Sequence, residues 1–158
     1  MRPPLIVFVV VGVVVLGVST VLVVDSPYDS NVVSEQNPFA PERPETITQT
    51  TAVAYLVEYE ETRLYNDLLG SRGYTFDRRD EVRARCTAIS VLEIGDEQFR
   101  VRLRCHGRIR DAYRLVRPPT YTYTVTYRIT ETTLEERSIE DYPFSSRDEL
   151  RERPPSAT

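Results

Sequence analysis

The sequence lacks lysine and tryptophan entirely, and its 158 residues include only one histidine, one methionine and two cysteines. So few histidine and cysteine side chains supply no ligand set for a zinc site, and no serine or cysteine motif has a partner base. The formal net charge of -4 argues against a dedicated nucleic-acid-binding domain, because such domains are normally basic. The sequence therefore predicts no metal, no cofactor, no catalytic residue set and no nucleic-acid partner.

A long apolar run occupies the N-terminal region. Residues 5–24 carry no charge, and a helix of that length crosses a hydrocarbon core of roughly 30 Å at about 1.5 Å per residue. Arg2 precedes the run and Asp25 follows it, so the positive-inside rule places the N-terminus in the cytoplasm. The alternative, a cleaved signal peptide, has a shorter apolar region and a small-residue cleavage site. We predict an uncleaved transmembrane anchor over residues 1–24, in the cell membrane, with the remaining chain extracellular.

Two polar segments flank the central part of the chain. Residues 25–48 are rich in Asp, Ser, Glu and Pro and have few apolar side chains to bury. Such a composition cannot offset the entropy lost on ordering, so it predicts a flexible acidic stalk. Residues 143–158 have the same character and predict a disordered tail. The folded domain is therefore predicted over residues 49–142.

The domain is predicted to begin with one amphipathic helix over residues 50–69. Its apolar face carries Val53, Val57, Leu64 and Leu68, with Leu56 at the edge, and Gly70 is expected to cap the C-terminus. Glu60 lies within this apolar stripe by angle. One interpretation pairs this carboxylate with an arginine of the sheet; the other places it in a pocket as a general acid or base.

A β-hairpin is predicted next, with strands over residues 82–93 and 99–106 around a turn at Gly95 and Asp96. A symmetric four-residue loop places Cys86 opposite Cys105 as a pair without backbone hydrogen bonds, which suits a cross-strand disulfide. The same symmetry places Ala88 opposite Leu103, Ser90 opposite Val101, and Leu92 opposite Phe99, all on the core side. Two cysteines outside the cytoplasm are expected to pair.

Two further strands are predicted over residues 121–130 and 134–139, after an ambiguous segment at 107–119 that contains Pro118 and Pro119. The predicted fold is therefore α+β, with one amphipathic helix packed on a four-stranded antiparallel meander. This order resembles cystatin-like and nuclear-transport-factor-like folds, which implies the same arrangement here.

A second resemblance concerns short segments and composition. All basic residues are arginine, and the segments in question are Glu58-Tyr59-Glu60-Glu61, Tyr65-Asn66 and Tyr127-Arg128-Ile129-Thr130. In these features the chain resembles small membrane-anchored proteins of halophilic archaea that have no assigned activity. The resemblance implies a fold and a location outside the cytoplasm, and it carries no functional motif.

The outward face of the hairpin is the predicted binding surface. If the cysteines face the core, then Arg100, Arg102 and Arg104 point outward in a row, beside Arg85 and His106. Guanidinium groups bind carboxylate, phosphate or sulfate bidentately, so this row is a candidate site for an anionic envelope component or an acidic envelope protein. The plainer interpretation is a solvated face crossed by weak ion pairs.

Two functions follow from these features. The first is a membrane-anchored, non-catalytic extracytoplasmic domain that binds an anionic envelope component or a partner protein. The alternative is a small-ligand or enzymatic pocket between helix and sheet that uses Glu60.

Overall fold

The fold combines one helix with one antiparallel sheet. The computed structural model describes residues 36–71, 80–110, 120–145, 147 and 149–152, so the predicted membrane segment lies outside the described residues. Among these residues, no helix has both the length and the apolar composition needed to cross a membrane. The elements are α1 (Gln49–Gly70), β1 (Glu81–Gly95), β2 (Gln98–Arg110), β3 (Thr120–Ile129) and β4 (Leu134–Glu140). The strands lie in the order β1-β2-β3-β4, which confirms the predicted α+β class and antiparallel meander.

Helix α1 begins at a reciprocal threonine cap. The Thr51 N–H donates to the Thr48 hydroxyl at 3.2 Å, and the Thr48 N–H donates to the Thr51 hydroxyl at 2.8 Å. The prediction that Gly70 caps the C-terminus was wrong, because Gly70 is the last helical residue and Ser71 is the cap. Ser71 keeps a right-handed conformation and donates its N–H to the Asp67 carbonyl, so the helix ends without a left-handed residue that would favour glycine.

The core lies between α1 and the inner face of the sheet. Leu56, Leu64 and Leu68 of the helix are fully buried, and α1 packs mainly on β1 and β2. The helix lies close to β2 at Gly107, where an added Cβ would lie 3.1 Å from both methyl carbons of Leu68. A glycine at this position therefore permits the tight helix–sheet packing.

Residues from before and after the predicted domain pack beside α1, where the Asn66 side chain donates to the Asn37 carbonyl at 2.7 Å. Phe39 forms a parallel bridge with Arg151, and the Ala40 N–H donates to the Arg151 carbonyl at 2.8 Å. Ile47 is 2% exposed. Parts of both the predicted stalk (25–48) and the predicted tail (143–158) thus pack onto the domain, which explains why most of the helix circumference is buried.

The β1–β2 hairpin contains the main difference from the predicted register. Cys86 pairs with Cys105 and Ala88 with Leu103, as predicted, but the loop is two residues long, with Glu97 at a φ of 53°. Two irregularities, between Ala88 and Ser90 and between Glu93 and Gly95, each add one residue to β1. These bulges compensate for the displaced turn and leave the cysteine pair in register.

The bulge after Ala88 reverses the facing of the residues that follow it. Ser90 pairs with Arg102 and Leu92 with Arg100, so both lie on the outward face, and Leu92 is 54% exposed. Val91 takes the inward position opposite Val101. The predicted pairs Ser90–Val101 and Leu92–Phe99 were therefore wrong, since a period of two cannot anticipate an inserted residue.

Candidate functional site

Strand β2 separates apolar from charged side chains along its whole length. Phe99, Val101, Leu103 and Cys105 are buried, whereas the intervening residues point away from the helix. The outward set includes the predicted Arg100, Arg102 and Arg104, and it continues to Arg108 and Arg110. Sequence reasoning missed the last two because residues 107–119 were left unassigned, although the period of two already extended through them.

Neighbouring strands add arginines to the same outward face. On β1, Arg83 pairs with Arg108, and the predicted Arg85 pairs with His106. On β3, Arg128 pairs with Arg100. We call this surface the arginine face; it comprises Arg83, Arg85, Arg100, Arg102, Arg104, Arg108, Arg110 and Arg128.

Threonines and one histidine separate some of these cations. The outward residues of β3 opposite the β2 row include Thr122, Thr124 and Thr126. The His106 ring Nδ1 lies 3.1 Å from the Thr122 hydroxyl. Short, uncharged side chains beside the row leave the longer guanidinium groups standing above the sheet.

Three carboxylates share the outward face. Glu140 accepts from Arg102 at 2.8 Å, Glu135 accepts from Arg137 at 2.5 Å, and Glu81 forms ion pairs with Arg83, Arg108 and Arg110. Within the described part of the chain, Arg100, Arg104 and Arg128 form no ion pair. The face therefore holds more cations than its own acids neutralise.

Glu60 lies in a second charged region, the buried cluster, on the other side of the sheet. Its carboxylate is fully buried and accepts hydrogen bonds from the hydroxyls of Tyr123 and Tyr127, both at 2.5 Å. Arg147 donates to both carboxylate oxygens, at 2.8 and 3.0 Å. The arginine beside Glu60 thus comes from the C-terminal segment and not from the sheet.

Arg147 connects this cluster to strand β4. Its Nε donates to Glu136 at 2.7 Å, and its Nη2 donates to the Tyr127 hydroxyl at 2.8 Å. Burial alone lowers the pKa of Arg147, but Glu60, Tyr127 and Tyr123 together outweigh burial, so the net pKa shift is upward. The guanidinium therefore stays charged in its 11% exposed position.

The two tyrosines of the cluster stay protonated for a related reason. Burial raises the pKa of Tyr123 and of Tyr127 well above the ordinary value of 10.0, and the negative charge of Glu60 adds to the effect. Each hydroxyl is thereby fixed as a hydrogen-bond donor to the carboxylate.

A groove of about 890 Å³ lies beside the cluster and is lined by Tyr59, Tyr127 and Arg147, among other residues. Glu60 does not line this groove. Arg63, which is 5% exposed, also lines it and lies 3.6 Å from Glu136. The carboxylate of Glu60 is thus enclosed by its own partners behind the groove wall.

The predicted disulfide between Cys86 and Cys105 is confirmed. The two Cα atoms are 4.1 Å apart, a spacing close to that of a strand pair without backbone hydrogen bonds. The Cys86 N–H instead donates to the Glu61 carboxylate of the helix at 2.8 Å. Because disulfides persist in oxidising compartments, the bond indicates a domain located outside the cytoplasm.

The outward side chains suit the binding of anions. Guanidinium groups offer paired N–H donors to oxygen acceptors and do not lose their charge near neutral pH. No group of three or more His, Cys, Asp or Glu side chains in the described residues could hold a metal ion.

No protein-family model, curated protein or solved structure significantly matches this chain.

Proposed function

We propose that this protein is a membrane-anchored, non-catalytic domain outside the cytoplasm that binds an anionic component of the cell envelope through its arginine face. The apolar run at residues 5–24 supports the anchor, and the disulfide supports the location. The helix-then-four-strands order supports a cystatin-like or nuclear-transport-factor-like arrangement. The arginine-only basic composition supports a relationship to the anchored proteins of halophilic archaea.

The observation that carries this proposal is the separation of charge. The whole chain has a net charge of -4, yet in the described part of the sheet the arginine face presents its eight arginines against the three carboxylates Glu81, Glu135 and Glu140. A surface of one sign attracts ligands of the opposite sign and raises their local concentration. An anionic surface is therefore the partner that this face favours.

The geometry of the buried cluster supports a structural use of Glu60. Both carboxylate oxygens already accept hydrogen bonds from Tyr123, Tyr127 and Arg147. A general acid or base must reach the proton that it transfers, within hydrogen-bonding distance or through one water. The same contacts hold the C-terminal segment against the sheet. They give the buried Glu60 carboxylate a structural role that requires no catalysis.

A pair of matched variants tests the proposal in the full chain. Arg100→Ser with Arg104→Ser removes two outward cations, whereas Arg43→Ser with Arg151→Ser removes the same charge on the opposite side of the domain. We expect the first variant to lose binding to vesicles of phosphatidylcholine mixed with phosphatidylglycerol, and the second to keep it. Equal binding by the two variants, or equal binding of wild type to pure phosphatidylcholine, would contradict the proposal.

The location requires its own experiment. Protease added to intact cells should degrade the domain of the full-length protein. As a control, a form without residues 1–24 stays in the cytoplasm, and its domain should be protected from the same protease. Protection of the full-length protein, or its release into the medium, would argue against an external anchored domain.

A further inference from the structure

Two pairs of arginines face each other directly across adjacent strands of the arginine face. Arg83 lies opposite Arg108 at one end of the sheet, and Arg100 lies opposite Arg128 at the other. Like charges in directly opposed positions destabilise an antiparallel sheet. Each pair is therefore a place where an anion between the two guanidinium groups would be favoured.

The Arg83–Arg108 pair has an anion supplied by the chain itself. Glu81, which is only 8% exposed, forms an ion pair with Arg83 and accepts from Arg108 at 3.4 Å. Arg110 lies 3.8 Å from the second oxygen of the same carboxylate. One internal carboxylate thus neutralises this end of the face.

The Arg100–Arg128 pair lacks such an internal anion among the described residues. The acid nearest in register is Glu135, which lies opposite Arg128 on β4. Arg137 holds that carboxylate at 2.5 Å. Glu140, the remaining outward acid of β4, is bound to Arg102 at 2.8 Å. Both outward acids of β4 are therefore paired with other arginines, and Glu97 and Glu131, in the turns at this end, interact with each other.

We infer that Arg100 and Arg128 form a site for a tetrahedral oxyanion, namely a phosphate monoester or a sulfate group. This inference rests on the proposed function and names the chemistry that the arginine face recognises. Each guanidinium can donate two parallel hydrogen bonds, and a tetrahedral oxyanion has enough oxygens to accept from both groups at once. A phosphate monoester carries close to two negative charges near neutral pH, against one for a carboxylate, so it matches a pair of cations better.

Titration of the full chain in neutral detergent with inorganic phosphate tests the site. We expect saturable binding that shifts the side-chain N–H resonances of Arg100 and Arg128 in NMR spectra. Arg128→Gln should weaken phosphate binding about tenfold or more, since it removes one of two charged donors. Arg108→Gln is the matched control, because its pair already has Glu81, and it should change the affinity by less than about twofold.

A second variant tests the site through a residue that is not part of it. Arg137→Gln releases Glu135, which then becomes available to Arg128 and competes with the ligand. We expect phosphate binding to weaken by about threefold or more, a change that corresponds to roughly 0.7 kcal/mol. Arg151→Gln removes the same charge from a segment that lies beside Asn66 and Gly70 of the helix, and it should leave the affinity unchanged.

Vesicles distinguish a lipid headgroup from free phosphate as the source of the oxyanion. If the source is a headgroup, wild type should prefer phosphatidylcholine vesicles containing phosphatidic acid over those containing phosphatidylglycerol, and Arg128→Gln should abolish this preference. If the source is a soluble group, phosphate should bind with no such preference, and either result supports the site.

The inference and the proposed function can fail separately. Absence of saturable phosphate binding in wild type, or equal weakening by Arg108→Gln and Arg128→Gln, would overturn the site. Binding of anionic vesicles through Arg100 and Arg104 would still support the proposed function in that case. Saturable phosphate binding without any binding to anionic vesicles would support the site and contradict the proposed function.

Discussion

The two charged regions of this domain neutralise their charges in different ways. In the buried cluster, Glu60 is 0% exposed, and Tyr123, Tyr127 and Arg147 satisfy both of its oxygens. On the arginine face, the cations are in contact with solvent, and several have no acidic partner among the described residues. Desolvating a charge costs several kcal/mol unless it is paired, whereas an exposed charge keeps its water. The buried cluster therefore needs partners from within the chain, whereas the charges of the arginine face can be neutralised by a ligand.

Breaking the buried pair should give the largest effect on stability. Arg147→Met leaves the Glu60 carboxylate buried with only two tyrosine hydroxyls as partners. We expect the free energy of unfolding to fall by about 3–5 kcal/mol, the usual cost of removing one partner of a buried ion pair. Chemical denaturation of the full chain in detergent, followed by near-ultraviolet circular dichroism, measures this change.

An exposed ion pair on the arginine face provides the control for this comparison. Arg102 and Glu140 lie 2.8 Å apart, but their side chains are 43% and 57% exposed. Arg102→Ser should therefore lower the free energy of unfolding by no more than about 1 kcal/mol. Similar losses in Arg147→Met and Arg102→Ser would mean that the two regions do not differ as described.

Loss of the disulfide should have the next largest effect. Cys86→Ala with Cys105→Ala removes a crosslink between residues separated by 19 positions and lying beneath the arginine face. We expect the free energy of unfolding to fall by about 2–4 kcal/mol, mainly because the unfolded chain is no longer constrained. Denaturation with and without reductant measures this directly. An unfolding midpoint of wild type that does not respond to reductant would contradict the prediction.

The contrast between the regions also explains what could be predicted from the sequence. Alternation along β2 placed Arg100, Arg102 and Arg104 opposite in direction to Cys105, because a strand with one buried face repeats every two residues. The cysteine pair was predicted from a symmetric four-residue loop, and it is correct because the two bulges of β1 offset the two-residue loop of the structure. Local patterns therefore sufficed for most of the outward surface.

The buried cluster could not be assembled in the same way. Glu60 and Arg147 are 87 residues apart, and Arg147 lies in a segment whose polar, proline-rich composition predicted disorder. That segment is held by specific contacts, such as Arg147 with Glu60 and the backbone hydrogen bond from Ala40 to Arg151. Composition does not report such contacts, and the bulge after Ala88 had no sequence signal either.

High pH should act on the buried cluster and leave the arginine face charged. The pKa values of Tyr123 and Tyr127 are raised above 10.0, so these groups contribute stability that is fully present below pH 10. Above pH 10 tyrosines of the unfolded chain lose protons while these two do not, and the free energy of unfolding falls as pH rises toward the folded-state pKa values. Burial also raises the pKa values of Tyr55, Tyr59 and Tyr142, so tyrosinate absorbance should show at least two hydroxyls, those of Tyr123 and Tyr127, that ionise only when near-ultraviolet dichroism is lost.

A matched variant sharpens the alkaline experiment. Tyr127→Phe removes one of the two hydroxyls that donate to Glu60 and should leave one fewer late-ionising tyrosine. Ionisation of all ten tyrosines in a single step near pH 10, with the fold retained, would show that the cluster does not protect its hydroxyls.

The smallest predicted effect has the opposite sign. Arg100→Thr removes one member of the Arg100–Arg128 pair and inserts a β-branched residue into a strand, so stability should rise by a few tenths of a kcal/mol. Arg104→Thr is the control, because Arg104 lies opposite Thr87 and Thr124 and meets no like charge. Arg108→Thr should lower stability slightly, since Arg108 shares the Glu81 carboxylate. A gain in the free energy of unfolding that is confined to position 100 would show that the ligand-free sheet retains an unfavourable charge pair. Such a pair is expected where an arginine serves binding and not stability.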